Sequence, residues 1–196
     1  MNWLAHLYLS EPDPAFRVGN LLPDILQHSQ LAGLPEDFQR GIRQHRLIDA
    51  FTDKHAVFKH SIRRIPASHR RYGGVLVDVF YDHILAREWS AYSPQPLPEF
   101  TAEVYRSFEI LKPQLPPEIW PPLERMRYVD LFGSYRELSG IVAALNRIAN
   151  RTRRRVPLAD ATVILENHYA AFRTDFEKFF PDLRAHIQSH GIANPK

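Results

Sequence analysis

The amino-acid sequence predicts an all-α protein. No segment shows the apolar–polar alternation of strands flanked by hairpin turns, and only 8 of the 196 residues are glycine, none of them in a phosphate-binding loop. Most of the 16 prolines stand between apolar segments, where they mark the ends of helices. Together with the chain length, these features predict a single-domain helical bundle over residues 1–196.

Five helices are predicted in the first half of the chain. Asn2 suits the N-cap of the first helix, and the third begins with a proline and two acids, as a first helical turn prefers. The fifth is apolar nearly all round, which predicts that it is buried. The predicted ranges are about 2–9, 15–22, 35–53, 55–65 and 72–89.

A proline-rich break near 93–98 separates this half, about 1–92, from the C-terminal helices, about 97–190. Prolines between 113 and 122 interrupt the second half again. The ranges predicted there are 100–111, 134–150 and a long segment from 157 towards 190, in which Pro181 is expected to introduce a kink.

The composition excludes several classes of site. The chain has no cysteine, so disulfide frameworks, cysteine nucleophiles and iron–sulfur clusters are ruled out. The 25 Lys plus Arg against 22 Asp plus Glu give a net charge of +3, which permits an acidic or phosphorylated partner without selecting one. No signal-peptide pattern or membrane-length apolar stretch is found, so we expect a cytoplasmic protein that binds no membrane.

A polar stripe runs along the third predicted helix. His45, Asp49 and Asp53 are spaced by four residues, so they drift by only about 40° per step around the helix. Imidazole and carboxylate groups on one face can hold a divalent metal. A solvated polar face with ordinary i,i+4 pairs gives the same pattern, and the stripe alone favours that simpler reading.

The fifth predicted helix carries acids in an apolar setting. Asp78 and Asp82 lie one turn apart, with His83 beside them. Buried carboxylates are costly unless they are paired, hydrogen-bonded or bound to a cation. A metal would neutralise both acids, but arginines from another helix would do the same, and the sequence leaves the two alternatives open.

Two further residues extend the set. A lone histidine such as His6 on an apolar helix is more often a core residue than a ligand, and Pro23-Asp24 could simply open a turn. Taken together, however, the acids and histidines form an oxygen and imidazole set without sulfur, which suits Mn²⁺, Mg²⁺ or Fe²⁺ and favours phosphoester hydrolysis. The eight residues are His6, Asp24, His45, Asp49, Asp53, Asp78, Asp82 and His83.

The segments that carry these residues resemble the acyl carrier protein phosphodiesterases, an all-helical, divergent branch of the HD-type metal phosphohydrolases. The resemblance is specific over about the first 90 residues and looser beyond them, as at 167–169. The His-Asp doublet of ordinary HD enzymes is absent, and Asp82-His83 is its reverse. The matching segments are NWLAHL (2–7), GNLLPD (19–24), GIRQHRLIDAFTD (41–53) and LVDVFYDH (76–83).

The resemblance implies an enzyme that hydrolyses the phosphodiester between 4′-phosphopantetheine and a serine of holo-acyl carrier protein, typically with Mn²⁺. Asp53 or His83 would orient the water or protonate the departing serine. The expected metal ligands are His6, Asp24, His45, Asp49, Asp78 and Asp82.

Arginines supply the expected contacts to substrate. Arg46, Arg70 and Arg71 are expected to bind phosphate, although a surface salt bridge is the alternative for each. A basic run, the densest in the chain, is expected to dock the acidic carrier protein, and no nucleic-acid module is found. Its members are Arg151, Arg153, Arg154 and Arg155.

Two other functions remain open from the sequence. The same residues would serve an HD-like phosphohydrolase that acts on a nucleotide or another small phosphoester. A non-enzymatic helical protein that binds an acidic partner, with its acids paired to arginines, would also carry them.

Overall fold

The computed structural model describes residues 2–151 and 157–190, and within those ranges it has twelve α-helices, six short 3₁₀ segments and no strand. The predicted all-α class is therefore confirmed. The helices are α1 (Trp3–Tyr8), α2 (Pro14–Gly19), α3 (His28–Leu31), α4 (Glu36–Lys54), α5 (Ala56–Arg64), α6 (Gly73–Arg87), α7 (Leu97–Leu111), α8 (Trp120–Tyr128), α9 (Leu131–Ser134), α10 (Leu138–Arg151), α11 (Thr162–Asn167) and α12 (Tyr169–His190).

The second half departs from the predicted ranges in three places. Pro121 and Pro122, which are predicted to interrupt the chain, instead occupy the first turn of α8, where the missing amide hydrogen costs nothing. The helix predicted from residue 134 begins at Leu138, because Asp130, in the left-handed region with φ 42°, caps the short α9 before it. The segment predicted from 157 is divided into a 3₁₀ turn, α11 and α12, and α12 continues through Pro181.

Helix α6 forms the centre of the bundle. Eleven of its fifteen residues are buried, as its apolar sequence predicts. It packs against α1, α5, α10 and α12. Of the elements that carry the predicted site, α1 packs directly against this buried helix.

A close helix crossing brings α2 against α4. A methyl group added to Gly41 would overlap the carbonyl oxygen of Phe16 and the amide of Asn20, and one added to Gly19 would overlap the backbone of Phe38. Glycine at both positions lets the two backbones touch. The loop after α2 is thereby placed directly over the middle of α4.

The two predicted halves of the chain contact each other. Helix α12 packs on α4, α5 and α6, α2 packs on α7, and one hydrophobic cluster runs from Leu4 to Ile187. No helix among the described residues is both long and apolar enough to cross a membrane.

A buried polar network joins three of these helices. Asp175 of α12 accepts hydrogen bonds from Ser61 Oγ at 2.8 Å and Arg64 Nε at 2.9 Å, and Ser61 Oγ also lies 2.8 Å from the Tyr81 hydroxyl. Burial raises the pKa of Tyr81, which keeps its hydroxyl protonated. These contacts hold α5 between α6 and α12.

Candidate metal centre

Two histidines and one aspartate meet beside α4. Asp49 Oδ1 lies 3.2 Å from His6 Nε2, and Asp49 Oδ2 lies 3.0 Å from His45 Nε2. The two imidazole rings stack with their centroids 4.2 Å apart. One ligand atom from each of the three residues lies within 4.8 Å of the others, and this is the one such group among the described residues. We call these three residues, a candidate site for a cation, the metal centre.

Asn20 holds both imidazoles in place. His6 Nδ1 donates to the side-chain oxygen of Asn20 at 3.0 Å, and His45 Nδ1 donates to its backbone oxygen at 2.8 Å. The Asn20 amide nitrogen donates to the backbone oxygen of His6 and to Ser10 Oγ, which fixes the orientation of the amide. With a hydrogen on each Nδ1, Nε2 is the atom that faces Asp49: it donates to Asp49 when the ring is protonated, and it offers a lone pair to a cation when the ring is neutral.

The charges of the metal centre are strongly coupled. Burial opposes protonation of His45, but the hydrogen bond to Asp49, the negative charges of Asp49 and Asp24 and the hydrogen bond to Asn20 together outweigh burial and raise its pKa. Burial lowers the pKa of His6 more than Asp49 raises it. Burial disfavours the ionised form of Asp49 too, yet hydrogen bonds from His45 and His6 hold its pKa well below its usual range. Asp49 is thus a carboxylate, and a divalent cation would replace the proton that it shares with the histidines.

Asp24 lies at the edge of the metal centre. Its Oδ1 is 3.8 Å from His45 Nε2, and its Oδ2 accepts a hydrogen bond of 2.7 Å from the Trp3 indole. The side chains of Asp24 and Asp49 are both 41% exposed, whereas His6 is fully buried and His45 nearly so. The centre is therefore reached from solvent along its carboxylate side.

The structure gives Asp82 a structural role. Its two oxygens accept hydrogen bonds from the backbone amides of Leu4 at 2.7 Å and Ala5 at 3.0 Å, at the start of α1. Asn2 stands at the N-cap position of α1, but its side chain makes no capping bond. Asp82 caps α1 from 78 residues away, and its oxygens face backbone amides instead of the metal centre, so the ligand role predicted for it has no support in these contacts.

Asp78 and Asp53 flank the metal centre. Burial raises the pKa of Asp78, and the negative charges of Asp49 and Asp53 add to the rise. Asp53 is exposed, one helical turn beyond Asp49. The ligand role of Asp78 and the catalytic role of Asp53 remain predictions.

His83 is directed away from this cluster. It is buried against the segment between α9 and α10, where its Nδ1 donates to the backbone oxygen of Tyr135 at 2.8 Å. It lines a cavity to which none of His6, His45 and Asp49 contributes. The structure therefore does not bring His83 together with the residues for which its catalytic role was predicted.

The predicted arginines lie in different settings. Arg46 and Arg71 are exposed, and Arg70 donates to the backbone oxygens of Ile65 at 2.7 Å and Arg63 at 3.2 Å, which ties up part of its guanidinium in the loop before α6. The predicted docking run falls outside what the structure describes, apart from the backbone of its first residue at the end of α10. Its members are Arg151, Arg153, Arg154 and Arg155.

The donor set of the metal centre fits a divalent cation. Two oriented imidazole nitrogens and one carboxylate, with a second carboxylate at the edge, match the ligands that Mn²⁺, Fe²⁺ and Zn²⁺ accept, and they leave positions open to solvent. Sequence reasoning missed the supporting residues Asn20 and Trp3. Both stand inside the segments that carry the resemblance, but an amide and an indole at those positions do not by themselves indicate a role.

Comparison with known proteins identifies the family of the chain. The family model of acyl carrier protein phosphodiesterase matches residues 1–183. A protein of that name from Enterobacter sp. (strain 638) is 34% identical over 182 residues, which cover 92% of this chain and 94% of the relative. One from Escherichia coli O157:H7 (strain EC4115 / EHEC) is 33% identical over 186 residues, covering 94% and 96%.

No solved structure matches the chain, so the predicted HD-like architecture stays a prediction. The predicted family membership is confirmed by a match that extends well beyond the first 90 residues. The chain belongs to the acyl carrier protein phosphodiesterase family.

Proposed function

We propose that this phosphodiesterase uses a divalent cation, Mn²⁺ in the first instance, held by His6, His45 and Asp49, to release 4′-phosphopantetheine from holo-acyl carrier protein. The observation that carries the proposal is the pair of Nε2 atoms, oriented by Asn20, that converge on one carboxylate. Mg²⁺ and Fe²⁺ suit the oxygen donors as well.

When bound, the cation lowers the pKa of a water molecule and offsets charge on the phosphoryl oxygens. The residues of the chain supply orientation and proton transfer. Asn20 keeps the two imidazoles fixed, so the site does not need to reorganise when the phosphodiester arrives. Water attacks phosphorus in line with the departing serine oxygen. Asp24 and Asp53 are the exposed carboxylates beside the centre, and we assign to them the proton transfers from the water to the serine oxygen.

A basic segment next to the metal centre would dock the carrier protein. Residues 54–77 follow Asp53 and precede Asp78, and they contain six Lys or Arg and no acid. Lys54 is exposed at the end of α4, and Lys59, Arg63 and Arg71 are exposed on α5 and in the loop after it. Acyl carrier proteins are small and strongly acidic, so this face would attract them and present the phosphodiester to the centre.

Mn²⁺ binding and release of apo-carrier protein are the two measurements that test the proposal. His45→Asn keeps a donor for the Asn20 carbonyl but removes Nε2, and Asp49→Asn removes the carboxylate. We expect each variant to lose Mn²⁺ affinity at least 100-fold, measured by calorimetry, and to lose product release, measured by mass spectrometry. His168→Asn, at an exposed position, is the matched control.

The same experiment separates the alternatives. Turnover of nucleotides without release of apo-carrier protein would replace the proposed substrate by a nucleotide. Wild-type activity that survives complete removal of metal would overturn the metal-dependent mechanism. Cytoplasmic location and the absence of nucleic-acid binding stay predictions.

A further inference from the structure

A polar cavity, separate from the metal centre, opens between the C-terminal half of α6 and the beginning of α10. Its volume is about 620 Å³. No residue of the metal centre lines it. The lining residues are His83, Arg87, Arg136, Glu137, Leu138 and Ser139.

The wall of this cavity contains a buried imidazole with an unused ring nitrogen. His83 is 1% exposed, and its Nδ1 hydrogen is committed to the backbone oxygen of Tyr135. Its Nε2 has no hydrogen-bond partner among the described residues. Buried polar atoms are almost always paired, so an unpaired nitrogen in the wall of a cavity is a place where the donor of a ligand can bind. In the neutral ring this nitrogen is an acceptor and needs a donor on that ligand.

The rest of the lining is positively charged. Neither Arg87 nor Arg136 forms an ion pair or donates a hydrogen bond to a described residue, and Arg87 lies over the ring of Tyr169 at 4.9 Å. Glu137 is the one acid in the lining, so the two arginines leave an excess of one positive charge. The amino terminus of α10, a helix of 14 residues, adds its positive end, with the Ser139 hydroxyl beside it.

We propose that this cavity binds a phosphate group that carries a proton, from inorganic phosphate or from a phosphomonoester. The guanidinium groups of Arg87 and Arg136 bind the anionic oxygens, because their planar donors match a phosphate. The P–OH group donates to His83 Nε2. A carboxylate would neutralise the arginines but has no proton for the imidazole. The site does not depend on the proposed hydrolysis, although the product of that reaction is one phosphomonoester that fits.

The test is calorimetric titration of the metal-free protein with inorganic phosphate, 4′-phosphopantetheine and pantetheine at constant ionic strength. We expect the two phosphorylated compounds to bind and pantetheine not to bind. Arg136→Gln and Arg87→Gln should each weaken binding about tenfold or more, whereas Arg106→Gln, an exposed arginine on α7, should leave it unchanged. His83→Asn keeps a donor for Tyr135 and removes Nε2, and it should also weaken binding.

Each remaining outcome decides against the cavity. Phosphate binding that survives Arg87→Gln and Arg136→Gln but is lost in His45→Asn would assign the phosphate to the metal centre. Equal binding of pantetheine would show that the phosphate is not recognised, and no binding to the wild-type protein would refute the site directly. A nitrogen NMR shift of His83 Nε2 on addition of phosphate gives an independent readout, and its absence would remove the imidazole from the site.

Discussion

Replacing Asn20 by alanine tests how the metal centre is built. The wild-type side chain accepts from His6 Nδ1 at 3.0 Å and donates to the His6 backbone oxygen and to Ser10 Oγ, each at 2.9 Å. Asn20→Ala removes these three hydrogen bonds but leaves the backbone oxygen that accepts from His45. The variant therefore frees one imidazole and keeps the other.

The size of the effect follows from these contacts. Three hydrogen bonds, two of them buried and one partly buried, at about 1 kcal/mol each predict a loss of about 3 kcal/mol in the free energy of unfolding. Loss of a group that orients a ligand typically lowers metal affinity by about 10- to 100-fold. The loss should be smaller than that caused by His45→Asn, which removes a ligand nitrogen altogether.

The assay is Mn²⁺ titration by calorimetry, together with urea unfolding of the metal-free protein. Asn167→Ala, at an exposed position on α11, is the control and should change neither quantity. Asn20→Asp keeps an acceptor for His6 Nδ1 and loses the two donated bonds, so it should be destabilised but retain more metal affinity than Asn20→Ala. If Asn20→Ala binds Mn²⁺ as tightly as the wild type while its stability falls, Asn20 only stabilises the fold and does not orient the ligands.

Three further predictions concern the surroundings of the centre. Gly41→Ala should cost about 1–3 kcal/mol of stability and weaken Mn²⁺ binding, since the methyl group pushes α2 from α4. Gly33→Ala is the control: its methyl group would have no atom within 4 Å, so neither stability nor Mn²⁺ binding should change. Burial raises the pKa of Asp82 to about 7, so the folded state keeps this proton to a higher pH than the unfolded state does. The contribution of Asp82 to the free energy of unfolding therefore falls as pH rises from about 4 to about 7 and is constant above about pH 7. Denaturation curves of the wild type and Asp82→Asn, measured across this range, should show the difference in unfolding free energy between wild type and variant shifting against the wild type as pH rises. A difference that does not change with pH would contradict this prediction. Ser61→Ala should lower the melting temperature by removing contacts to Tyr81 and Asp175, without changing Mn²⁺ affinity.

Part of the centre could be predicted because its spacing is local. His45 and Asp49 share a helix face by the geometry of one turn, and the structure places their side chains 3.0 Å apart. The burial of α6 likewise follows from its composition, since a helix that is apolar all round has no face to turn to water.

The rest depends on contacts between distant segments. Asp82 and His83 are neighbours in sequence, but successive helical residues point about 100° apart, so one caps α1 and the other lines a cavity beside α10. The sequence shows that a buried acid needs a partner, and it does not say whether that partner is a metal, an arginine or a backbone amide. The role of Asn20 depends in the same way on the crossing of α2 and α4. Two glycines permit this crossing, but their presence in the sequence does not predict it.

The cap that Asp82 provides also links the metal centre to the core of the bundle. Helix α1 has six residues, too few to be stable in water alone, and it carries His6. The cap joins residues that are 78 apart in sequence, so α1 gains it only when α6 packs against α1 and closes that long loop. The position of His6 therefore depends on the packed core as well as on Asn20, and a substitution that loosens the contact between α1 and α6 should disturb the metal centre from a distance.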